Sequence, residues 1–392
     1  IKHVVVLVQE NRSFDNLAGY YNYTSDIDNL IQYSIKNKGP HCNPKDVTKP
    51  NANLVCAYVD SPDVQPIDPD HSLPGTMFGQ FGQYYVDSAQ QPDVPPMNGF
   101  VQQNGGSETI IASLPNSDTQ HTLALASNFV LFDRWFSSAP APTNPNRAFI
   151  TSGTTAGHGS NDLAFFLSGL KQKSIFQVLS ENKITWKNYN HASGFKPDAL
   201  FYSWVNSNAA GNVVNFNQFF TDAAAGALPQ FSYINPECCA IESYHPSSPV
   251  SKGEAFVASI VNSLLASPNW NETLFILTFD EAGGFADHVP SPRATPPGDN
   301  KPYSWSSNGH SGSFKFDRFG VRVPTYLASP YLPKGHVEHA PASGEYDHTS
   351  IAKFLSGLWG LPDMILTDRV RAAPDFAHLF LNAPRRDTPS KI

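Results

Sequence analysis

The sequence has no long uninterrupted hydrophobic run. No stretch approaches the roughly 20 consecutive apolar residues that a transmembrane helix needs, so we expect a soluble protein. Charged residues are also scarce, at 15% of the 392 residues, and lysine and arginine do not cluster. Because the formal net charge is −8, the composition argues against nucleic acid and anionic membranes as partners, since both bind basic patches.

Cysteine is rare too, with four residues that allow three pairings. Cys42 and Cys56 would close a short loop in a segment rich in proline and asparagine, and such a bridge acts as a staple in an oxidising compartment. Cys238 and Cys239 are adjacent in the chain. They would form either a vicinal bridge or two buried free thiols, and the sequence favours neither alternative.

Proline, glycine and aromatic residues are plentiful. The chain has 33 prolines, 26 glycines and 12% aromatic residues, a composition typical of a loop-rich extracellular enzyme. Sequons begin at Asn22 and Asn271, and the chain starts with a strand-like run rather than a methionine. We therefore expect a secreted protein whose signal peptide has been removed, more in keeping with a fungal source than a bacterial one.

Apolar runs and amphipathic segments alternate along most of the chain. This alternation predicts an α/β fold with a mostly parallel central sheet and helices on both faces, in one domain spanning 1–392. Residues 22–104 have weak periodicity and are expected to form an irregular excursion that covers the active site. The patterns predict strands at 4–8, 129–136, 184–189, 231–235, 274–279 and 322–328, and helices at 14–21, 116–128, 145–153, 174–182, 216–225, 252–266 and 349–359.

Polar residues follow three of the predicted strands where the strands end. Glu10 and Asn11 follow the first strand, Asp280 and Glu281 follow the fifth, and Thr143 lies in the loop after the second. Ligands bind parallel sheets beyond the carboxyl ends of the strands. An all-oxygen set with this many carboxylates suits one divalent cation, and Ca, Mg, Mn, Zn and Fe all remain open.

Thr143 is expected at a helix N-terminus, because Asn144 is a good N-cap and Pro145 a favoured first helical residue. A cation that also contacts the Thr143 hydroxyl would activate it as a nucleophile, and Arg147 would neutralise an oxyanion bidentately. This set suits attack on phosphorus, for which histidines are the usual proton source. Histidines in loops rich in glycine, proline or aspartate are His71, His158, His245, His288, His310 and His348.

Five segments resemble a known family of phosphoesterases, which comprises phospholipases C and certain acid phosphatases within the alkaline-phosphatase-like superfamily. They occur in the order found in the family and span nearly the whole chain. The first and fourth together are highly specific, whereas any one alone would be only suggestive. The segments are QENRSFD (9–15), DPDHS (68–72), APTNPNR (141–147), TFDEAGGFADHVPSP (278–292) and YDHTSIAKFL (346–355).

The resemblance implies a role for each matching residue. Thr143 is implied as the nucleophile. Binding of one metal ion is implied for Glu10, Asn11, Thr143, Asp280 and Glu281. Contacts to phosphate or proton transfer are implied for Asn146, His71, His288 and His348, and more weakly for His245.

Some positions depart from the common pattern of that family. Ala282 stands where many members carry histidine, and Leu73 stands where an aromatic residue is common, so the headgroup pocket is expected to differ. The motif at 143–147 also echoes the sulfatase signature. Threonine does not yield formylglycine, however, so sulfatase activity is disfavoured.

The same resemblance implies an enzyme whose substrate is a phospholipid or another phosphate ester. A threonine nucleophile resembles the phospholipases C, whereas a serine resembles the acid phosphatases, so a phosphodiester substrate is favoured. Transient contact with a membrane surface is expected, and no stable protein partner is implied. The alternatives are an acid phosphatase acting on monoesters and a catalytically inactive secreted binding protein.

Each motif also has a purely structural interpretation. Glu10 and Asn11 would serve equally well to cap a short helix, and Asp280 and Glu281 would fit a solvated turn. Adjacent aromatic residues such as those at 165–166 would line a lipid-facing cleft, but aromatic residues more often belong to the core. The catalytic interpretation depends on co-occurrence: the polar residues at three strand ends together supply the cation ligands and the nucleophile that attack on phosphorus requires.

Overall fold

The computed structural model describes residues 1–191, 196–236 and 242–392. Its strands are β1 (His3–Gln9), β2 (Cys42–Pro44), β3 (Leu54–Cys56), β4 (Tyr58–Val59), β5 (Ala112–Ser113), β6 (Val130–Phe132), β7 (Trp135–Phe136), β8 (Trp186–Asn190), β9 (Val213–Asn215), β10 (Phe231–Asn235), β11 (Thr273–Phe279), β12 (Tyr303–Ser307), β13 (His310–Phe314), β14 (Thr325–Ala328), β15 (His336–Glu338) and β16 (Tyr346–Asp347).

The helices are given in the same chain order. They are α1 (Phe14–Ala18), α2 (Leu30–Asn37), α3 (Leu73–Phe81), α4 (Phe100–Gln103), α5 (Gln120–Asn128), α6 (Thr143–Ser152), α7 (Leu163–Phe166), α8 (Ile175–Glu181), α9 (Ser203–Asn208), α10 (Asn217–Ala224), α11 (Val250–Leu265), α12 (Thr349–Trp359) and α13 (Asp368–Ala372). None of the helices that the structure describes has the length and hydrophobicity needed to cross a membrane.

The described residues form an eight-stranded sheet in the order β15-β6-β14-β11-β1-β10-β8-β9. The run from β11 to β9 is parallel, and β15 is parallel to β6. Strand β14 is antiparallel to both of its neighbours, β11 and β6. The prediction of a mostly parallel sheet in an α/β fold is therefore confirmed, with one antiparallel strand that the alternation of elements did not indicate.

Strands β1 and β11 lie side by side within this sheet and are almost completely buried. Every residue of β11 is buried, and so is every residue of β1 after its first. A strand buried on both faces has no reason to alternate polar and apolar residues, which explains the continuous apolar runs in the sequence. Helix α5 packs against β6 and β14 and against α11, while α12 packs against α6.

Two predicted strands are much shorter in the structure. The strand expected at 129–136 is divided into β6 and β7, because the buried carboxylate of Asp133 turns to accept hydrogen bonds from His339 Nδ1 and the backbone N–H of Asp28. The other, expected at 322–328, begins only at Thr325. The proline before it has no N–H to donate to a neighbouring strand, so regular pairing starts after that proline.

The predicted start of α6 was wrong by two residues. The helix already includes Thr143, and its N-cap residue is Pro142 rather than Asn144. Pro145 therefore lies within the first turn instead of opening the helix. This is tolerated because N–H groups in the first turn of a helix have no intrahelical partner. Thr143 itself lies at the helix N-terminus, as the sequence indicated.

The segment 22–104 is more regular than predicted. It contains α2, α3 and α4 as well as the β2–β3 pair, in which Cys42 lies opposite Cys56. A disulfide joins these two cysteines, so the staple expected for this segment is present. The helices escaped prediction because they are short, and α3 carries a proline and two glycines that weaken its helical pattern. Cys238 and Cys239 lie outside the described residues, so their state stays open.

The disulfide predicts a measurable stabilisation. It closes a loop over a sequence separation of 14 residues, for which the chain-entropy model gives roughly 3 kcal/mol. We expect the Cys42→Ser/Cys56→Ser double variant to lose about 2–3 kcal/mol of unfolding free energy in denaturant titrations. Wild-type protein treated with reductant serves as the control. Equal stability of the oxidised wild type and the double variant would contradict this expectation.

Candidate active site

The parallel register of β1 and β11 brings two acidic strand ends together. Gln9 lies opposite Phe279 in the ladder, so the residues that follow them are neighbours at the same edge of the sheet. Asp280 Oδ1 accepts hydrogen bonds from the backbone N–H groups of Asn11, at 3.3 Å, and Glu281, at 2.8 Å. The Asp280 carboxylate thus locks one strand end to the other.

A glycine is needed two residues after Glu281 for a steric reason. Gly283 has a φ of 65°, and a Cβ there would clash with the carbonyl oxygen of Asn11. A side chain at this position would push the two strand ends apart. The Gly283 N–H donates to Glu281 Oε2 at 2.5 Å, so the close approach of the backbone also orients the Glu281 carboxylate.

Arg147 makes ion pairs with three of the buried carboxylates. Its guanidinium donates to Asp280 Oδ2 at 3.0 Å, to Glu10 Oε1 at 3.1 Å and to Asp198 Oδ2 at 3.3 Å. All four side chains are almost fully buried. The sequence assigns Arg147 to an oxyanion, whereas in the structure its donors are engaged by these three carboxylates and by the Val8 carbonyl oxygen.

Thr143 opens α6 one helical turn before Arg147, so the ion pairs of Arg147 also place Thr143. Its side chain is partly exposed and lines a pocket together with Glu10 and His71. Asn146 holds the preceding loop, because its amide donates to backbone carbonyl oxygens at 139 and 141. The polar atoms of Asn146 thus face the loop that presents Thr143.

His71 and His245 lie at the same pocket. Their ring centroids are 5.9 Å apart, and the Asp68 carboxylate lies 3.6 Å from His71 Nδ1 and 4.0 Å from His245 Nε2. Burial alone would lower the pKa of His71, but the charges of Glu281 and Asp68 raise it to about 9. These charges favour the protonated form of His71, which lines the same pocket as Thr143.

His348 packs against the acidic strand end and does not line the pocket. Its Nδ1 accepts a hydrogen bond from Trp135 Nε1 at 3.3 Å, which leaves the proton on Nε2 to be donated to the Asp280 carbonyl oxygen at 2.7 Å. Burial lowers the pKa of this histidine. His348 is therefore a neutral, fully buried ring, and proton transfer to a substrate would require these bonds to break. His158 and His310 do not line the pocket either.

His288 belongs to a second cluster of buried charges. Its Nδ1 donates to Asp15 Oδ2 at 2.8 Å and its Nε2 to Asp28 Oδ1 at 3.2 Å. Arg322 donates to the carboxylates of Asp15 and Asp287 at 3.1 and 2.9 Å. His288 does not line the pocket at Thr143. The cluster joins the first turn of α1 to the loop that leaves β11.

The comparisons with known proteins decide the family. The model of the Phosphoesterase family matches residues 1–362. The chain belongs to the Phosphoesterase family. It is thus a phosphoric ester hydrolase, whose substrates are phosphate esters.

Curated relatives of this phosphoesterase extend over the whole chain. Non-specific phospholipase C6 of Arabidopsis thaliana is 36% identical over 100% of this chain and 75% of its own length, and non-specific phospholipase C3 of the same plant is 34% identical over 99% and 75%. Non-hemolytic phospholipase C of Burkholderia pseudomallei is 25% identical over 91% and 54%.

Solved structures match more distantly. A protein in the alkaline phosphatase superfamily from Vibrio parahaemolyticus is 14% identical, covers 65% of this chain and 64% of its own, and has a TM-score of 0.38. A match this distant carries no argument about the function of this phosphoesterase.

The residues at the two central strand ends fit a divalent cation. Asn11 Oδ1 and Glu281 Oε1 are buried and lack a hydrogen-bond partner among the described residues. Burial raises the pKa of Glu10 to about 8 in spite of Arg147, and burial together with Asp280 raises that of Glu281 to about 8 in spite of the His71 charge. Buried oxygens without donors are costly, and a hard cation would compensate both the lone pairs and the charge.

Two histidine clusters also bring possible metal-ligating atoms within 4.8 Å of one another. Asp68, His71 and His245 form the first, at the pocket, and Asp15, Asp287 and His288 form the second. The second cluster already holds the charge of Arg322 between its carboxylates, which disfavours a cation there. The first has a single carboxylate. The strand ends carry more carboxylates, but those of Glu10, Asp280 and Glu281 are not among the described groups whose ligand atoms all lie within 4.8 Å of one another.

The sequence analysis did not predict three of the side chains that line the pocket. Asn190 and Asn235 end β8 and β10, so the rule that identified the other strand ends would have found them. Asn235 Oδ1 accepts from Asn188 Nδ2 at 2.8 Å, which fixes the orientation of its amide at the pocket. Asp198, the third carboxylate on Arg147, lies in a short turn between strands and had no signal in the sequence.

The second charge cluster predicts a pH dependence of stability. Burial alone would lower the pKa of His288, but the charges and hydrogen bonds of Asp15 and Asp28 raise it from 6.5 to about 9. Its contribution to stability is therefore fully present below pH 6.5 and is lost as the pH rises through 9. We expect His288→Gln to be less stable than the wild type at about pH 6.5. Between about pH 6.5 and about pH 10, the variant should lose less unfolding free energy than the wild type does.

Thermal unfolding between about pH 6 and pH 10 measures this difference. His310→Gln, at an exposed histidine outside the cluster, serves as the control and is expected to follow the wild type. Melting temperatures of His288→Gln and the wild type that decline in parallel would show that His288 does not carry the effect.

Proposed function

We propose that this phosphoesterase is a secreted phospholipase C that cleaves glycerophospholipids to diacylglycerol and a phosphorylated headgroup. The observation that carries the proposal is the similarity, over 91–100% of the chain, to relatives named phospholipase C. The position of Thr143 at the pocket supports it further. Secretion is supported by the Cys42–Cys56 bridge and by the exposed side chains of Asn22 and Asn271.

The residues at the strand ends, with Thr143, would hold the divalent cation. When bound there, a cation supplies charge neutralisation for the phosphate and lowers the pKa of the Thr143 hydroxyl. Arg147 holds Glu10 and Asp280 in place through its ion pairs and so orients two of the ligands. Asn146 holds the loop before Thr143 and so fixes the position of the nucleophile. The ligands would be Glu10, Asn11, Thr143, Asp280 and Glu281.

The reaction would proceed in two displacements. Thr143 Oγ, having released its proton to solvent, forms a bond to phosphorus while the bond from phosphorus to the diacylglycerol oxygen breaks. Protonated His71 gives its proton to that leaving oxygen, which yields diacylglycerol and a phosphothreonine diester. A water molecule then attacks phosphorus, His71 takes back a proton from it, and the phosphorylated headgroup leaves as Thr143 is regenerated.

The substrate class is tested with two assays on the same preparation. We expect diacylglycerol release from phosphatidylcholine in mixed micelles to exceed the hydrolysis of p-nitrophenyl phosphate in kcat/KM. Thr143→Ala should reduce the phospholipid rate by about a thousandfold or more, while Thr143→Ser should retain a measurable part of it. Faster hydrolysis of the monoester would instead support an acid phosphatase, and an active Thr143→Ala variant would remove Thr143 as nucleophile.

The cation site is tested with Glu281→Gln. This change removes a buried carboxyl group whose ionised form burial disfavours, so we expect the chelated variant to be at least as stable as the chelated wild type. Added Mg²⁺, Mn²⁺, Ca²⁺ or Zn²⁺ should raise the melting temperature of the wild type more than that of the variant. Glu272→Gln, at a partly exposed carboxylate outside the site, is the control. Equal metal-induced shifts in Glu281→Gln and the wild type would exclude Glu281 as a ligand.

A further inference from the structure

Helix α7 and the residue after it present apolar side chains to solvent beside the pocket. Leu163 and Leu167 are each 71% exposed and Phe166 is 38% exposed. Their spacing of three and four residues places them on one side of a helical turn. We call these three residues the α7 apolar patch. Large apolar side chains exposed together mark interaction sites more often than single ones do.

The backbone that carries the patch is held in place by core packing and by a helix cap. Phe165, between the exposed residues, is fully buried, and its ring lies 5.2 Å from that of Phe201. Asp162 caps the helix by accepting the N–H of Ala164 at 2.9 Å. Of the aromatic pair at 165–166, Phe165 therefore belongs to the core, whereas Phe166 faces outward.

The patch is continuous with the pocket that holds Thr143. Phe166 and Asn161 both line that pocket. Asn161 Oδ1 accepts the backbone N–H of Asn144 at 2.8 Å, which ties the residues before α7 to the start of α6. Lys196 Nζ donates to the Phe166 carbonyl oxygen at 2.9 Å. The exposed apolar surface therefore forms one rim of the site.

We propose that the α7 apolar patch inserts into the surface of the lipid aggregate from which the pocket takes its substrate. The proposal rests on the phospholipase function proposed above. A phospholipid must leave the interface with its phosphate at Thr143 and its acyl chains still shielded from water. Leucine and phenylalanine at the pocket rim extend the apolar environment to the pocket mouth.

Net charge favours a neutral interface as the occupant. The chain carries a formal charge of −8, so its net charge supplies no long-range attraction to anionic lipid. Apolar insertion does not need such attraction, and two leucines and a phenylalanine supply the apolar surface for it. A second copy of the chain seated on the patch is the competing occupant, and the test distinguishes it.

The test compares Leu163→Ser/Leu167→Ser with the wild type on two forms of one headgroup. The forms are vesicles of dioleoylphosphatidylcholine and monomeric dibutyrylphosphatidylcholine far below its critical micelle concentration. We expect the apparent KM for vesicle lipid to rise about tenfold or more, with kcat/KM for the monomeric lipid unchanged. Ile35→Ser/Val94→Ser changes two side chains of 68% and 71% exposure outside the pocket and should match the wild type on both.

Vesicle flotation gives a second readout that does not require turnover. The wild type and the Ile35→Ser/Val94→Ser control should float with the vesicles, and the Leu163→Ser/Leu167→Ser variant should not. Equal loss of activity on both lipids, or unchanged flotation of the patch variant, would overturn the proposal. So would a wild-type dimer that becomes a monomer in the patch variant, because a second copy would then cover the patch.

The two proposals fail in different ways. If the wild type floats with vesicles through the patch but releases no diacylglycerol from either lipid, the proposed phospholipase function is wrong while lipid docking stands. If diacylglycerol is released and the patch variant behaves as the wild type on vesicles, the function stands and lipid docking is wrong.

Discussion

The candidate site depends on the ion pairs between Arg147 and three buried carboxylates. Burying several carboxylates at one edge of a sheet is costly unless charge and hydrogen bonds compensate them. Arg147 provides one positive charge and a planar set of donors that reach Glu10, Asp198 and Asp280 together. Because Arg147 lies one turn into α6, the same ion pairs determine where Thr143 opens that helix. Electrostatic compensation of the carboxylates and the placement of Thr143 at the pocket therefore depend on the same ion pairs.

One arginine does not balance the whole site. Glu281 makes no ion pair with Arg147, and both Glu10 and Glu281 have pKa values raised to about 8 by burial. The remaining imbalance is what a divalent cation would remove. His71 partly offsets it in the structure, since the charge of Glu281 helps to keep that ring protonated. The candidate proton donor and the candidate cation ligands are thus linked through the same carboxylates.

A second buried arginine explains a motif that looks catalytic in the sequence. Arg322 binds Asp15 and Asp287, and His288 completes the cluster with its own ion pair to Asp15. These contacts hold the loop that leaves β11 against the first turn of α1. His348 is likewise engaged in a buried network rather than at the pocket. A histidine in a conspicuous loop motif can thus serve the geometry of a site without lining it.

The sequence by itself determined the α/β class, the strands β1 and β11, and the polar strand ends at Glu10 and Asp280. These features follow from local patterns, because a strand buried on both faces must be apolar and must end where polar groups become tolerable. The family motifs added Thr143. Only the tertiary structure decided which side chains meet: Asp198 joins Arg147 across 51 residues, and the exposed side of α7 comes to lie at the pocket rim. Such contacts join segments far apart in the chain, and local periodicity does not indicate which carboxylate or histidine will face a given cavity.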